Sequence, residues 1–179
     1  LDGDGDGFGA DSVPSGVIVG NDCNDGNVNI QPNATEVCDG GIDNDCDGLS
    51  DDDDIDVDLS TGTVHYADID EDGFGDNADS ASSCVVPQDR TTDNTDCDDG
   101  NALVNPQTIW FEDTDGDGFG SATSVQECNP GNGYVLQDGD CDDERLESNP
   151  NADEYCNDID DNCDTIIDES EAVDAINWY

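Results

Sequence analysis

Basic residues are almost missing from this chain. Arg90 and Arg145 are the only two, against 49 Asp and Glu, and the formal net charge is −47. A surface this negative excludes nucleic acid and anionic membranes as direct partners, calcium bridges aside. Met is absent and His65 is the single histidine, so a soft-metal centre has almost no ligands to draw on. No Cys-x-x-Cys occurs, which argues against zinc. No apolar run is long enough to cross a membrane, so no direct membrane insertion is expected, and no secretory leader is visible. The chain opens at Leu1 without a Met, which reads as a processed product or a window of something longer. Large apolar residues are scarce as well. Leu, Ile, Val and Phe make 33 of 179 residues, below the fifth at which a highly charged chain is expected to be disordered. Without cations such a chain cannot bury enough apolar area to offset its entropy, and self-repulsion expands it. Divalent cations reverse both effects, and their binding energy becomes folding energy.

What the chain does contain is a motif in three copies: Asp2-Gly3-Asp4-Gly5-Asp6-Gly7-Phe8-Gly9, Asp68-Ile69-Asp70-Glu71-Asp72-Gly73-Phe74-Gly75 and Asp113-Thr114-Asp115-Gly116-Asp117-Gly118-Phe119-Gly120. Carboxylates at loop positions 1, 3 and 5, with Gly at 6 for the sharp turn, are the front half of an oxygen cage for Ca²⁺, and position 7 offers the carbonyl of Phe8, Phe74 or Phe119. Three clustered carboxylates repel one another, so a chain that repeats them needs a cation. The bland alternative for any one copy is a solvated acidic turn. The repetition at fixed spacing among Gly and Cys argues for the cage.

Around these loops runs a longer repeat: strand, Gly-Phe-Gly loop, linker, Asp-Cys-Asp-Asp segment, Asn-Pro or Gln-Pro turn, and a third, cysteine-bearing acidic loop. The segment is Asn21-Asp22-Cys23-Asn24-Asp25, then Thr95-Asp96-Cys97-Asp98-Asp99, then Gly139-Asp140-Cys141-Asp142-Asp143. The third loop occurs twice, from Asp43 and from Asp160, and is missing from the middle unit. The units are therefore residues 1–65, 66–110 and 111–179, each leaning on its neighbours. The expected fold is mostly irregular loop with short β-strands and little helix, a tandem calcium-binding array held by Ca²⁺ and disulfides. Strands are expected at Gly16–Gly20, Thr63–Tyr66, Thr108–Phe111, Tyr134–Leu136 and Ala175–Tyr179.

Position 12 of the Gly-Phe-Gly loops is Val13, Asp79 or Ser124, so no loop carries the Glu that closes an EF-hand. The missing ligands are expected from the neighbouring segments: Asp22 and Asp25, Asp96 and Asp98, Asp140 and Asp142. The third loop reads as a self-contained cage of Asp43, Asp45, Asp47, the Leu49 carbonyl, Asp51 and Asp54. The same offsets in the last unit give Asp160, Asn162, Asp164, Ile166, Asp168 and Glu171. Glu36 and Glu154 are lesser candidates. Hard oxygen donors at flexible loops favour Ca²⁺, several ions per chain, over Mg²⁺ and transition metals. His65 reads as a packed strand residue. Trp110 and Trp178 occupy matched positions and read first as apolar contacts between units, second as sugar-stacking or subunit-contact residues. Asn33-Ala34-Thr35 fits a glycosylation acceptor. No nucleophile–base pairing is visible, so no enzyme is expected.

Nine cysteines imply an oxidising compartment. Matched spacings of 13, 13, 8 and 7 predict disulfides Cys84–Cys97, Cys128–Cys141, Cys38–Cys46 and Cys156–Cys163, leaving Cys23 over.

Units of the form Asp-x-Asp-Gly-Phe-Gly … Asp-Cys-Asp-Asp … Asn-Pro-x-Ala-x-Glu-x-Cys … Ile-Asp-x-x-Cys-Asp resemble the MopE-type metal-binding repeat of bacterial surface and secreted proteins. The last unit matches from Asp113 to Glu169; the first lacks a linker cysteine and the second its third loop. The Asp-x-Asp-x-Asp-Gly stretches are also similar to thrombospondin type 3 calcium repeats. The resemblance implies metal binding and an extracellular or cell-surface location. The expected role is an extracellular calcium-binding structural protein, a building block of a filament or surface fibre. The alternatives are a calcium-rigidified stalk of a large adhesin and a secreted metal-buffering or metal-acquisition protein. Its expected partners are copies of itself, head to tail, because Ile176-Asn177-Trp178-Tyr179 followed by Leu1-Asp2 repeats the strand-and-loop register of Ile109-Trp110-Phe111-Glu112-Asp113. Such a heterologous contact gives a ring or an open filament.

Overall fold

The computed structural model describes residues 2–9, 20–170 and 172–175. Its contacts divide the chain into two units, Leu1–Gly100 and Asn101–Tyr179, and each carries one small antiparallel sheet. In the first unit β1 (Thr63–Ala67) lies between β2 (Asp76–Ser83) and β3 (Arg90–Thr91). In the second, β4 (Ile109–Glu112) lies between β5 (Ser124–Gln126) and β6 (Tyr134–Val135). Each central strand is the β-branched and aromatic stretch, and each runs directly into a Gly-Phe-Gly loop. Among the described residues there is no α-helix, only the 3₁₀ turns Asp51–Asp53 and Leu59–Thr61. Among the described residues no helix is long and apolar enough to cross a membrane.

The expected strands at Thr63–Tyr66, Thr108–Phe111 and Tyr134–Leu136 correspond to β1, β4 and β6. Gly16–Gly20 and Ala175–Tyr179 fall almost wholly outside the described residues, as does the Ile176–Tyr179 junction. Strand β2 is not among the expected strands; it reads Asp-Asn-Ala-Asp-Ser-Ala-Ser-Ser and is largely exposed. Its order comes from pairing, Thr63 with Ser83 through Tyr66 with Ser80, with a register shift before Ala67–Asp76. His65 is buried in β1, where Nε2 faces Ser83 Oγ at 2.8 Å and Nδ1 accepts the Arg90 Nε–H at 2.7 Å. Arg90 is held in turn by Asp79 at 2.8 Å.

The interior is not apolar. Ile30, Ala67 and Ala172 are the buried hydrophobic residues among those described, against nine buried polar or charged ones including Asp22, Glu36, Asp54, Glu154 and Asp161. Burying a carboxylate is costly unless it is hydrogen-bonded or paired with a cation. Glu36 and Glu154 meet that condition with backbone. Glu36 accepts N–H groups from Asn44 and Asp51 at 2.7 and 3.1 Å; Glu154 accepts from Asp161, Asn162 and Asp168 at 2.8, 3.3 and 3.0 Å. Each thus holds the third loop of its repeat in shape.

The cysteines pair differently from the spacing rule. The bridges are Cys23–Cys46, Cys38–Cys84 and Cys141–Cys163, and Cys97 and Cys128 are each disulfide-bonded. The expected Cys38–Cys46, Cys84–Cys97, Cys128–Cys141 and Cys156–Cys163 pairs are all overturned, and the free, exposed thiol is Cys156, not Cys23. The physical reason is that the third loop folds back onto the Asp-Cys-Asp-Asp segment of its own repeat. Cys23 and Cys141 meet the fourth position of that loop across 23 and 22 residues. Cys38 is thereby left to the Cys that follows β2.

Candidate metal centre

All five acidic loops share one backbone. Position 6 has positive φ in each: Gly7, Gly48, Gly73 and Gly118 at 93–100°, and Thr165 at 76°. Position 4 does too, at Gly5, Cys46, Glu71, Gly116 and Cys163. A β-branched residue in the left-handed region is strained by about 1–2 kcal/mol. Thr165→Gly is therefore expected to stabilise the last third loop by about 1 kcal/mol, read as a raised thermal midpoint.

This backbone turns one oxygen of each loop acid inward onto the chain. The position-6 N–H donates to the position-1 carboxylate: Gly7 to Asp2, Gly48 to Asp43, Gly73 to Asp68, Gly118 to Asp113 and Thr165 to Asp160, at 2.9–3.3 Å. The position-7 N–H of Phe8, Leu49, Phe74, Phe119 and Ile166 donates to Asp6, Asp47, Asp72, Asp117 and Asp164, at 2.8–2.9 Å. Position 3, which is Asp4, Asp45, Asp70, Asp115 or Asn162, accepts from position 5. In the first two Gly-Phe-Gly loops one oxygen from each of the three acids, Asp2, Asp4 and Asp6 or Asp68, Asp70 and Asp72, lies within 4.8 Å of the others.

The Asp-Cys-Asp-Asp segment docks on its loop through the last of its acids. Asp25 Oδ1 accepts the Gly3 N–H at 2.9 Å, Asp99 Oδ1 the Ile69 N–H at 2.8 Å, and Asp143 Oδ1 the Thr114 N–H at 2.8 Å. In the last two, the chain N–H of the first acid, Asp96 or Asp140, also donates to Gly75 or Gly120. Gly120 must be glycine, because a Cβ there would stand 2.5 Å from the Phe111 Cβ. In sequence the expected ligands are Asp98 and Asp142, and Asp99 and Asp143 do not stand out. Their alignment with Asp25 was the available signal.

Docking leaves a set of buried carboxylate oxygens with no donor. They are Asp4, Asp6 and Asp22 Oδ2 in the first copy, Asp68 Oδ1 and Asp96 Oδ2 in the second, and Asp115, Asp117 and Asp140 Oδ2 in the third. Asp22, Asp96 and Asp140 are the first acids of their segments, so loop and segment expose the same kind of oxygen side by side. Burial pushes the Asp140 carboxyl above the usual range, and the nearby charges of Asp117, Asp115 and Asp143 push it further. Asp115 is raised likewise, first by burial and then by Asp117, Asp113 and Asp143. These groups fit a hard divalent cation, which supplies the charge that the oxygens lack. Asp140→Asn is expected to weaken divalent-cation binding at that loop by on the order of tenfold or more, since affinity follows ligand charge. Calorimetric titration against the unaltered chain measures it.

Without the cation the sign of the pH dependence follows. Asp115 and Asp140 hold protons more tightly folded than unfolded, so they favour the fold at acid pH. That contribution is lost as pH rises through their elevated folded-state range. Self-repulsion acts in the same direction, and the carboxylate of Asp58, held low by the Ser60 hydroxyl and N–H, opposes it at one exposed position. The ion-free chain is expected to be more compact near about pH 4 than at about pH 7, as small-angle scattering would show.

In the third loops Asp51 and Asp168 accept N–H groups of the turn at 39–40 and 157–158. Asp54 instead joins Asp45. Glu171 lies outside the described residues. Oxygens of Glu36, Asp43 and Asp45 also come within 4.8 Å of one another. Asp140 lies close to Cys141 and Cys163, but those sulfurs are bonded to each other and offer no thiolate.

No curated protein and no solved structure matches the chain. A family model does, and its matches begin at Asp22, Asp96 and Asp140, the segment acids with the orphaned oxygens: residues 22–52, 96–109 and 140–169 match the metal-binding motif of the Cu-binding MopE family.

Proposed function

We propose that the metal is calcium, and that the chain is an extracellular structural module in which Ca²⁺ and disulfides replace an apolar core. One observation carries the reading: buried, donorless carboxylate oxygens recur where a segment meets a Gly-Phe-Gly loop, each time including Oδ2 of the segment's first acid, Asp22, Asp96 or Asp140. The donor set is oxygen throughout, which favours calcium over the copper of the family's name. Copper would draw on imidazole and sulfur. His65 has both ring nitrogens engaged, Met is absent, and eight of the nine cysteines are disulfide-bonded. The disulfides suit an oxidising, extracellular setting.

The module binds rather than catalyses, and its partners are further copies, joined head to tail into a filament or surface fibre. The support for that order is that β1 and β4 each run straight into a Gly-Phe-Gly loop, as Ile176–Tyr179 would run into the Asp2 loop. A stalk within a large adhesin uses the same modules in one covalent chain, and a denaturing gel separates the two. Equilibrium dialysis against Ca²⁺, Mg²⁺ and Cu²⁺ tests the metal. Several calcium ions per chain, retained against excess Mg²⁺, are expected; copper bound in preference to calcium would overturn the reading.

A further inference from the structure

The third loop of the first repeat runs out through Asp51-Asp52-Asp53-Asp54-Ile55-Asp56, and its last three residues break the usual logic of burial. Asp54 is 3% exposed, while the neighbouring Ile55 is 98% exposed. Apolar burial would drive the reverse arrangement. Asp54 Oδ1 accepts the Asp56 N–H at 2.9 Å, and its Oδ2 is buried without a donor. One oxygen each from Asp45, Asp54 and Asp56 lies within 4.8 Å of the others. Neither arginine neutralises them, since Arg90 is held by Asp79 and Arg145 lies beside Asp161.

The last repeat supplies an internal comparison. There Asn162 takes the place of Asp45, and its Nδ2 donates to Glu169 Oε1 at 3.1 Å. A neutral amide gives the acid across from it a donor. With Asp at that position the amide donor is missing, and the carboxylates of Asp45, Asp54 and Asp56 crowd together. A bound divalent ion would supply the missing positive charge.

We propose that Asp45, Asp54 and Asp56 form a cation site of their own, for a hard divalent ion of the calcium type, separate from the ions of the Gly-Phe-Gly loops. This divides the single cage that spacing suggests, with Asp56 joining and Asp51 engaged at the 39–40 turn. The site stands just before Leu59–Thr61 and β1, so its ion fastens the exit of one repeat to the strand of the next. The same stretch is gripped from the other side, where Asp52 accepts the N–H groups of Cys84 and Val85 at 2.7 and 2.8 Å.

The proposal rests on the calcium reading, and the test tells the two apart. Native mass spectrometry of the intact, disulfide-bonded chain loaded with calcium counts its ions. Asp56→Asn and Asp45→Asn, the second reproducing the residue of the last repeat, are each expected to carry one ion fewer than the unaltered chain. The remaining ions and the near-UV circular dichroism should be unchanged. An unchanged count, or loss of more than one ion, would overturn the separate site. Asp56 is exposed, so its variant decides the matter if Asp45→Asn fails to fold. An unaltered chain that holds no calcium would sink the calcium reading instead.

Discussion

Excess chelator is expected to unfold this chain at neutral pH and 25 °C. Two carboxylates 4.8 Å apart repel by about 3 kcal/mol at an effective dielectric of about 20, before salt screening. Each of the first two Gly-Phe-Gly loops holds three such pairs. A typical domain has only about 5–15 kcal/mol of net stability to set against this. The described interior offers three buried hydrophobic residues, so the apolar contribution is small. Scattering should show a radius of gyration moving toward the ~45 Å of an unfolded chain of this length, short of it because the disulfides remain. Near-UV signal from Trp110 and Tyr66 should fall, and calcium should restore both.

Reduction in the presence of calcium is the second large effect. Cys23–Cys46 and Cys141–Cys163 close loops of 23 and 22 residues, and Cys38–Cys84 one of 46. Chain-entropy reasoning assigns each about 3–4 kcal/mol. The bridges also join the two kinds of acidic loop: the segment that completes a Gly-Phe-Gly loop is the one fastened to the third loop. Cys141→Ser with Cys163→Ser should therefore lower calcium affinity at the Asp113 loop as well as thermal stability. Peptide mapping of the oxidised chain should return these three pairs and an alkylatable thiol at Cys156. Recovery of Cys38–Cys46 or Cys156–Cys163 would contradict the structure.

The acidic loops were legible because their chemistry is local. A position-1 Asp that accepts the position-6 N–H needs a residue tolerant of positive φ there, and Gly supplies it four times in five. The central strands were legible for a similar reason, in Val64-His65-Tyr66 and Ile109-Trp110-Phe111. What the sequence concealed is non-local. β2 is polar along its length and is ordered only by β1. Disulfide partners depend on how the third loop folds back, which spacing does not encode. Glu36 and Glu154 look like spare ligands in sequence, yet burial makes them backbone acceptors that shape the loop. Asp99 and Asp143 were passed over because their part is to seat the segment through a backbone N–H, a task with no residue signature.

The central claim is that a cation sits where segment and loop meet. A crystal structure of the calcium-loaded chain, with anomalous scattering to identify the ion, tests it most directly. A calcium peak is expected among the Oδ2 atoms of Asp115, Asp117 and Asp140, with equivalent peaks at the Asp2 and Asp68 loops. Loops that keep this fold with no ion there, and with the Asp140 carboxylate turned to solvent, would contradict it.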